Sequence, residues 1–252
     1  METEPTGLID ARAVSVAVKV PHQEAPLMVV DKVSLTVQPG ISYAVLGRSG
    51  SGKTSLLSVL GLLNADYTGE LFVDGVDAAT LSDRALAKLR ASSLGFVFQS
   101  YSLIPHLNAL ANVLVPCTAA GLRRSVALNQ AKQALTDVGL GDRLAAMPVQ
   151  LSGGEQQRVA IARAMVNNPR VIMADEPTGA LDIDTGASVM GLLIERVKQT
   201  GVALVVVTHD KQVAGLCDQH YIMDRGGLAK DAGPQLWQQS GRASTAEEVD
   251  VA

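Results

Sequence analysis

The sequence predicts an α/β fold built on a parallel sheet, and three observations carry that prediction. Ile41 to Leu46, Val171 to Ala174 and Val202 to Thr208 are short apolar runs that read as buried strands, and Ala187 to Lys198 between the last two has helical period. Two apolar strands joined through a helix make a parallel crossover unit. A glycine-rich turn, Gly47-Arg48-Ser49-Gly50-Ser51-Gly52-Lys53-Thr54, stands between the first strand and a helix whose Leu56, Leu57 and Leu60 share one face. Of the 252 residues 47% are apolar, enough for a sizeable core, but only 3% are aromatic, so that core must be built from Val, Leu, Ile, Ala and Met.

The remaining elements follow in order. Val14, Val16, Val18 and Val20 alternate with Ser15, Ala17 and Lys19, the period of a half-buried strand; Val29 to Val37 repeats the habit and Pro39-Gly40 ends it. Leu71-Phe72-Val73 before Asp74-Gly75 reads as a strand and tight turn. Leu81 to Leu89 is helical, with Arg84, Lys88 and Arg90 as polar face, and Gly95 to Phe98 is a strand ending at Gln99. From roughly 100 to 150 the pattern is mostly helical, broken at Pro105, Pro116, Gly121, Gly139 and Pro148, and this stretch is the candidate for an inserted helical subdomain. Ser152, Gly153 and Gly154 open a helix expected over Glu155 to Val166. Tyr221-Ile222-Met223 is a further strand, Asp224 to Gly227 a turn, and the tail from Gly241 is small, acidic and frayed.

Charge and composition exclude several classes. A net charge of -4 without a long Lys/Arg run argues against non-specific nucleic-acid binding, which rests on phosphate neutralisation by clustered cations. Cys117 and Cys217 lie far apart, show no metal or disulfide spacing, and read as buried thiols. The acidic start Met1 to Pro5 is no secretory signal. The longest aliphatic run, Val202 to Val207, falls short of the about 20 apolar residues of a membrane helix, so cytoplasm is the expected compartment.

The glycine-rich turn matches the phosphate-binding loop pattern in the context that pattern needs, strand before and helix after. Its glycines let backbone N–H groups turn inward, and the helix start adds positive potential. Lys53 is expected on the β- and γ-phosphates and the Thr54 hydroxyl on Mg²⁺. Asp175, at the end of a buried strand, is expected to hold Mg²⁺, and Glu176, facing another way, to orient or deprotonate the attacking water. Gln99 and His209 also follow strands; Gln99 can bond the metal's water and His209 can donate to the γ-phosphate. His22, His106 and His220 read as surface or packing residues.

Together these residues resemble the ATP-binding subunit of an ABC transporter, over about Leu8 to Leu228. Leu151-Ser152-Gly153-Gly154-Glu155-Gln156-Gln157-Arg158 is similar to that family's signature motif, and Ala180-Leu181-Asp182 to the loop that crosses between two sites. A plain helix cap, Ser152 with Glu155 three residues on, is the alternative reading of the motif, and it leaves the two glycines without a reason. The resemblance implies a RecA-like parallel-sheet core with an antiparallel β subdomain and an inserted α-helical subdomain. It places a single domain over 8–230, with core and β subdomain at 8–98 and 160–230, helical subdomain at roughly 99–159, and a C-terminal helix and tail at 231–252. It implies ATP and Mg²⁺ held by Gly47, Ser49, Gly50, Ser51, Gly52, Lys53, Thr54 and Ser55, with Gln99, Asp175, Glu176, Asp182 and His209. Two copies then face head to tail, Ser152, Gly153, Gly154 and Glu155 of one capping the ATP of the other, and drive a separately encoded integral membrane permease from the cytoplasmic face.

Ala87 to Arg90, Leu94 to Gln99, Leu103-x-Pro105, Asn112 to Pro116 and Pro177 to Asp182 look like the branch with macrolide-exporter, lipoprotein-release and haem-exporter ATPases. Haem is the favoured cargo on that resemblance, with antimicrobial compounds and lipoproteins next. Two departures stand out. The usual adenine-stacking aromatic falls near Val20, with His22 the nearest ring, which implies weak adenine selectivity; and Ala111 replaces a Glu near the membrane-partner contact. A DNA-repair or translation ATPase is the competing class, disfavoured by one cassette, no heptad run, no zinc spacing and an acidic balance. A simple nucleotide kinase leaves the signature motif, Gln99 and His209 without roles.

Overall fold

The computed structural model describes residues 6–19, 25–231 and Gly233. In chain order the elements are β1 (Ile9–Val18), β2 (Leu27–Val37), β3 (Ser42–Leu46), α1 (Lys53–Leu60), β4 (Thr68–Val73), β5 (Val76–Asp77), α2 (Asp83–Ser93), β6 (Leu94–Phe98), α3 (Ala109–Ala119), α4 (Arg124–Asp137), α5 (Gly153–Met165), β7 (Val171–Asp175), α6 (Ile183–Thr200), β8 (Ala203–Thr208), α7 (Lys211–Ala214), β9 (Gln219–Asp224) and β10 (Gly227–Asp231).

The larger sheet has the order β10-β9-β3-β8-β7-β6. Strands β9, β3, β8, β7 and β6 pair in parallel, and β10 closes one edge antiparallel to β9. The apolar runs of the sequence are the strands buried on both faces, as parallel strands covered by helices must be. Ala44, Ile172, Ala174, Leu204 and Val206 face one core, built with α3 to α6. Val45, Val171, Met173, Val205 and Val207 face the other, built with α1 and the smaller sheet. That smaller sheet is antiparallel, in the order β2-β1-β4-β5. No described helix is long and apolar enough to cross a membrane.

Local chemistry moves several boundaries from those the sequence pattern suggests. Strand β1 starts at Ile9, and its alternation breaks where Ala13 takes φ 49 and the register against β2 slips. Val14 and Val16 are therefore buried while Val18 is exposed; Val20 lies outside the described residues. Pro116 does not break the chain: α3 runs through it to Ala119, losing one helical N–H bond while the helix packs against α4 and α5. The break falls at Gly121, φ 73. Helix α2 begins at Asp83 because Ser82 accepts from the Ala85 N–H, and α6 begins at Ile183 because Asp182 accepts from the Thr185 N–H. Residues 234–252, where a C-terminal helix is expected, lie outside the described residues, and Asp231 still belongs to β10.

Parallel strands deliver their C-terminal ends to one edge of the sheet. Leu46 of β3, Phe98 of β6, Asp175 of β7 and Thr208 of β8 all end there. The glycine-rich loop, Gln99, Glu176 and His209 follow those residues directly, so residues far apart in sequence meet at that edge.

Candidate active site

The loop between β3 and α1 is shaped by its glycines. Gly50 and Gly52 take φ 77 and 104, and a Cβ on Gly52 would lie 2.0 Å from the Val29 carbonyl oxygen. Only glycine fits there, which lets β2 lie directly on the loop. No side chain caps α1, so its first N–H groups remain available to an anion at the loop's centre. Lys53 is buried and donates to the carbonyls of Gly47 (2.8 Å) and Arg48 (3.0 Å), which hold the loop closed around its ammonium. The Ser51 hydroxyl is buried in the same turn without a protein partner.

Strand β7 carries Asp175 to the loop, where its Oδ1 accepts from the Thr54 hydroxyl at 3.3 Å. Burial pushes the Asp175 carboxyl up from its ordinary value; the Thr54 bond opposes the shift. Glu176 takes φ 45, a left-handed conformation uncommon for a side-chain-bearing residue. Its N–H donates to Val207. The two adjacent carboxylates therefore diverge, Asp175 toward Thr54 and Glu176 toward the end of β8. Glu176 Oε2 accepts from the buried Thr208 hydroxyl at 2.8 Å, and Oε1 lies 2.8 Å from His209 Nδ1. The carboxylate is 14% exposed and the imidazole 65%, so the pair runs from a buried anchor out to solvent.

These groups share a cleft of 680 Å³ lined by Lys53, Thr54, Gln99, Asp175, Glu176 and His209, together with Ser49, Gly50, Gly52 and Ser55. Val29 and Arg48 line it too, and the sequence does not single them out as site residues. Arg48 sits inside the loop motif itself, whereas Val29 reaches the cleft only because β2 crosses Gly52. Thr208 is the other residue missed; a polar residue closing an otherwise aliphatic strand is the signal that marks it.

Ser152, Gly153, Gly154, Glu155 and Asp182 line no part of this cleft. Ser152 and Glu155 form a reciprocal cap on α5: Glu155 N–H donates to Ser152 Oγ at 3.3 Å, and Ser152 N–H donates to Glu155 Oε2 at 2.8 Å. Those bonds hold the Glu155 carboxyl below its usual value. The two glycines also gain a reason within the chain, contrary to the sequence reading. A Cβ on Gly153 would meet the Tyr101 hydroxyl at 2.8 Å, and one on Gly154 would meet Thr185 Cγ2 at 2.5 Å. They let the start of α5 pack tightly between the Tyr101 loop and the first turn of α6. Of the remaining histidines, His220 packs with Nε2 3.0 Å from the Ala214 carbonyl, His106 is exposed, and His22 lies outside the described residues.

A phosphate loop feeding a parallel sheet, with diverging carboxylates and a histidine at neighbouring strand ends, defines a P-loop nucleoside triphosphatase. The family profile described as ABC transporter matches residues 30–179. The chain is 43% identical over 231 residues to the lipoprotein-releasing system ATP-binding protein LolD of Shewanella denitrificans, covering 91% of this chain and 98% of that protein. It is 44% identical over 210 residues to the macrolide export ATP-binding/permease protein MacB 2 of Aeromonas hydrophila, covering 83% of this chain and 32% of that one. Among solved structures, a dimeric post-hydrolysis state of the ATP-binding cassette MJ0796, bound to ADP and Pi, superposes with a TM-score of 0.81 at 36% identity, over 88% of this chain and 97% of that one. The chain belongs to the ABC transporter family, as its ATP-hydrolysing cassette.

Proposed function

We propose that this chain hydrolyses Mg-ATP as one half of a head-to-tail pair and powers a membrane complex that releases lipoproteins. The relatives described above are named for lipoprotein release and macrolide export. Neither name supports haem, the cargo the sequence reading favours, and the relative matched over nearly its full length is the lipoprotein-releasing one. Export of an antimicrobial compound is the second reading, carried by the macrolide exporter.

The observation that carries the chemistry is the Glu176–His209 pair facing the phosphate loop. Backbone N–H groups of the loop and α1 receive the phosphates, and Lys53 exchanges its two carbonyl partners for phosphate oxygens. Thr54 Oγ1, Asp175 Oδ1 and Gln99 present hard oxygen donors in one cleft, which suits Mg²⁺. When bound, that ion neutralises charge on the β- and γ-phosphates. Glu176 orients the attacking water and takes its proton, while Thr208 and His209 fix the carboxylate. Bonding Nδ1 to Glu176 leaves His209 Nε2 for the γ-phosphate. Ser152 and Gly154 open the helix α5 away from this cleft, and that placement supports their serving the ATP of a second copy.

A groove of 810 Å³ on the helical side supports a membrane partner. Its wall includes Leu63, Phe96, Phe98 and Val115, together with Arg84 and Lys88. Ala111, the departure noted in the sequence, lies one helical turn before Val115. This arrangement suits an amphipathic segment of the permease at the cytoplasmic membrane face.

Glu176→Gln is the decisive substitution. It keeps shape but cannot take a proton, so ATP still binds, hydrolysis falls about 10²- to 10⁴-fold, and an ATP-bound dimer accumulates on size exclusion. Phosphate release at the wild-type rate overturns the assignment.

A further inference from the structure

The segment after Gln99 is bent against its own preference. Tyr101 and Ser102 are consecutive non-glycine residues with φ 60 and 49. Ser102 N–H donates back to the Ser100 carbonyl at 2.5 Å, so Tyr101 centres a three-residue turn of the strained hand. Each such residue is strained and persists only where its surroundings over-determine it. What holds this turn comes from α5. Arg163 Nη1 donates to the Ser102 carbonyl at 2.6 Å, and Nη2 donates to the Tyr101 carbonyl at 2.9 Å. A planar fork is thus spent on two successive strained carbonyls. Burial pulls the guanidinium below its ordinary pKa, with no carboxylate contributing, so the carbonyls stand where an ion-pair partner would.

The far end of the loop is anchored separately. Asn112 is fully buried and bonds the N–H and carbonyl of Ile104 and the carbonyls of Leu107 and Asn108. Between these anchors the near end has little latitude. The Tyr101 hydroxyl donates to the Ala180 carbonyl at 3.4 Å, and the Gln99 side chain lies over Gly179, where a Cβ would come within 2.8 Å of its Nε2.

We propose that Arg163 is a positioning residue: it clamps the Tyr101–Ser102 turn in its left-handed form and so keeps Gln99 aimed into the phosphate cleft. Arg163 does not line the phosphate cleft. It sits on the same helix whose first turn carries Ser152, so a displacement of α5 acts on Gln99 directly through this clamp. The inference rests on the active-site reading above.

The test separates clamp from packing by relieving the strain. Arg163→Met keeps the apolar stem and removes the fork. Its turnover falls about tenfold to a hundredfold, while ATP affinity measured in EDTA is unchanged and the Mg²⁺ concentration for half-maximal turnover rises. Ser102→Gly alone leaves turnover near wild type, and in the Arg163→Met background it restores turnover, because glycine adopts this φ freely. Gln99→Ala combined with Arg163→Met is no slower than Gln99→Ala, because both act through one group. Wild-type turnover of Arg163→Met, no gain from Ser102→Gly, or losses that multiply with Gln99→Ala each overturn the clamp. If Arg163→Met does not fold, Arg163→Lys serves: it keeps charge and bulk but not the fork, and its partial loss is again relieved by Ser102→Gly. Wild-type turnover of Gln99→Ala removes the active-site reading and the clamp with it. A defective Gln99→Ala beside an unrescued Arg163→Met removes the clamp alone.

Discussion

Single residues here act through where the fold puts their polar atoms. Thr208 closes an aliphatic strand and fixes Glu176 through one hydroxyl. Cys217 shows the same dependence in a residue with no catalytic task. Burial, with the charge of Asp218 beside it, pushes its thiol up to about 12. The folded chain therefore binds the thiol proton more tightly than the unfolded chain, whose Cys ionises near pH 8.5. This contribution to stability is complete below that pH and is lost as the pH climbs toward 12. Thiol-reagent labelling at pH 8 should accordingly show no native reaction at Cys217, and reaction only on unfolding. Fast labelling of the folded chain contradicts this burial.

At the scale of elements, caps decide where helices begin. Ser152 and Glu155 tie the first turn of α5, and Asp182 ties that of α6. Ser152→Ala removes one side of the reciprocal cap and costs about 1 kcal/mol, which lowers the melting temperature of a chain this size by about 2–4 °C. A calorimetric scan without nucleotide reads this structural contribution. An unchanged melting temperature shows that the cap contributes nothing to folding. Burial and local irregularity decide which elements are legible in the sequence. Strands β3, β7 and β8 are legible because burial on both faces demands unbroken aliphatic runs. Strand β1 is misplaced because its bulge at Ala13 breaks the period, and α3 is misread because packing against α4 and α5 offsets the Pro116 defect.

On the proposed function, the whole molecule is half of a shared machine. The cleft gathers Lys53, Thr54, Gln99, Asp175, Glu176 and His209, while the capped start of α5 faces elsewhere. The proposed head-to-tail pairing makes a specific demand on mixed populations. Lys53→Ala and Ser152→Arg each abolish both sites of their own homodimer. Mixed, the Ser152→Arg chain supplies an intact Lys53 and the Lys53→Ala chain an intact Ser152, so each heterodimer has one complete site. Phosphate release should reappear on mixing two inactive preparations; a mixture that stays inactive excludes the shared site.

By itself the sequence determined the chemistry on offer. The phosphate loop, the Asp175-Glu176 pair, Gln99, His209 and the signature segment are local patterns, each fixed by residue type and spacing over a few positions. Only the tertiary structure decided their geometry. Glu176 turns from Asp175 to His209 because its φ is 45, and Gly153 and Gly154 are small because Tyr101 and Thr185 press on them. Val29 enters the cleft because β2 crosses Gly52, and Arg163 meets the loop after Gln99 through contacts 61 and 62 residues apart. Such contacts join segments far apart in the chain, so no local period records them; they exist only once parallel strands have brought their ends to one edge.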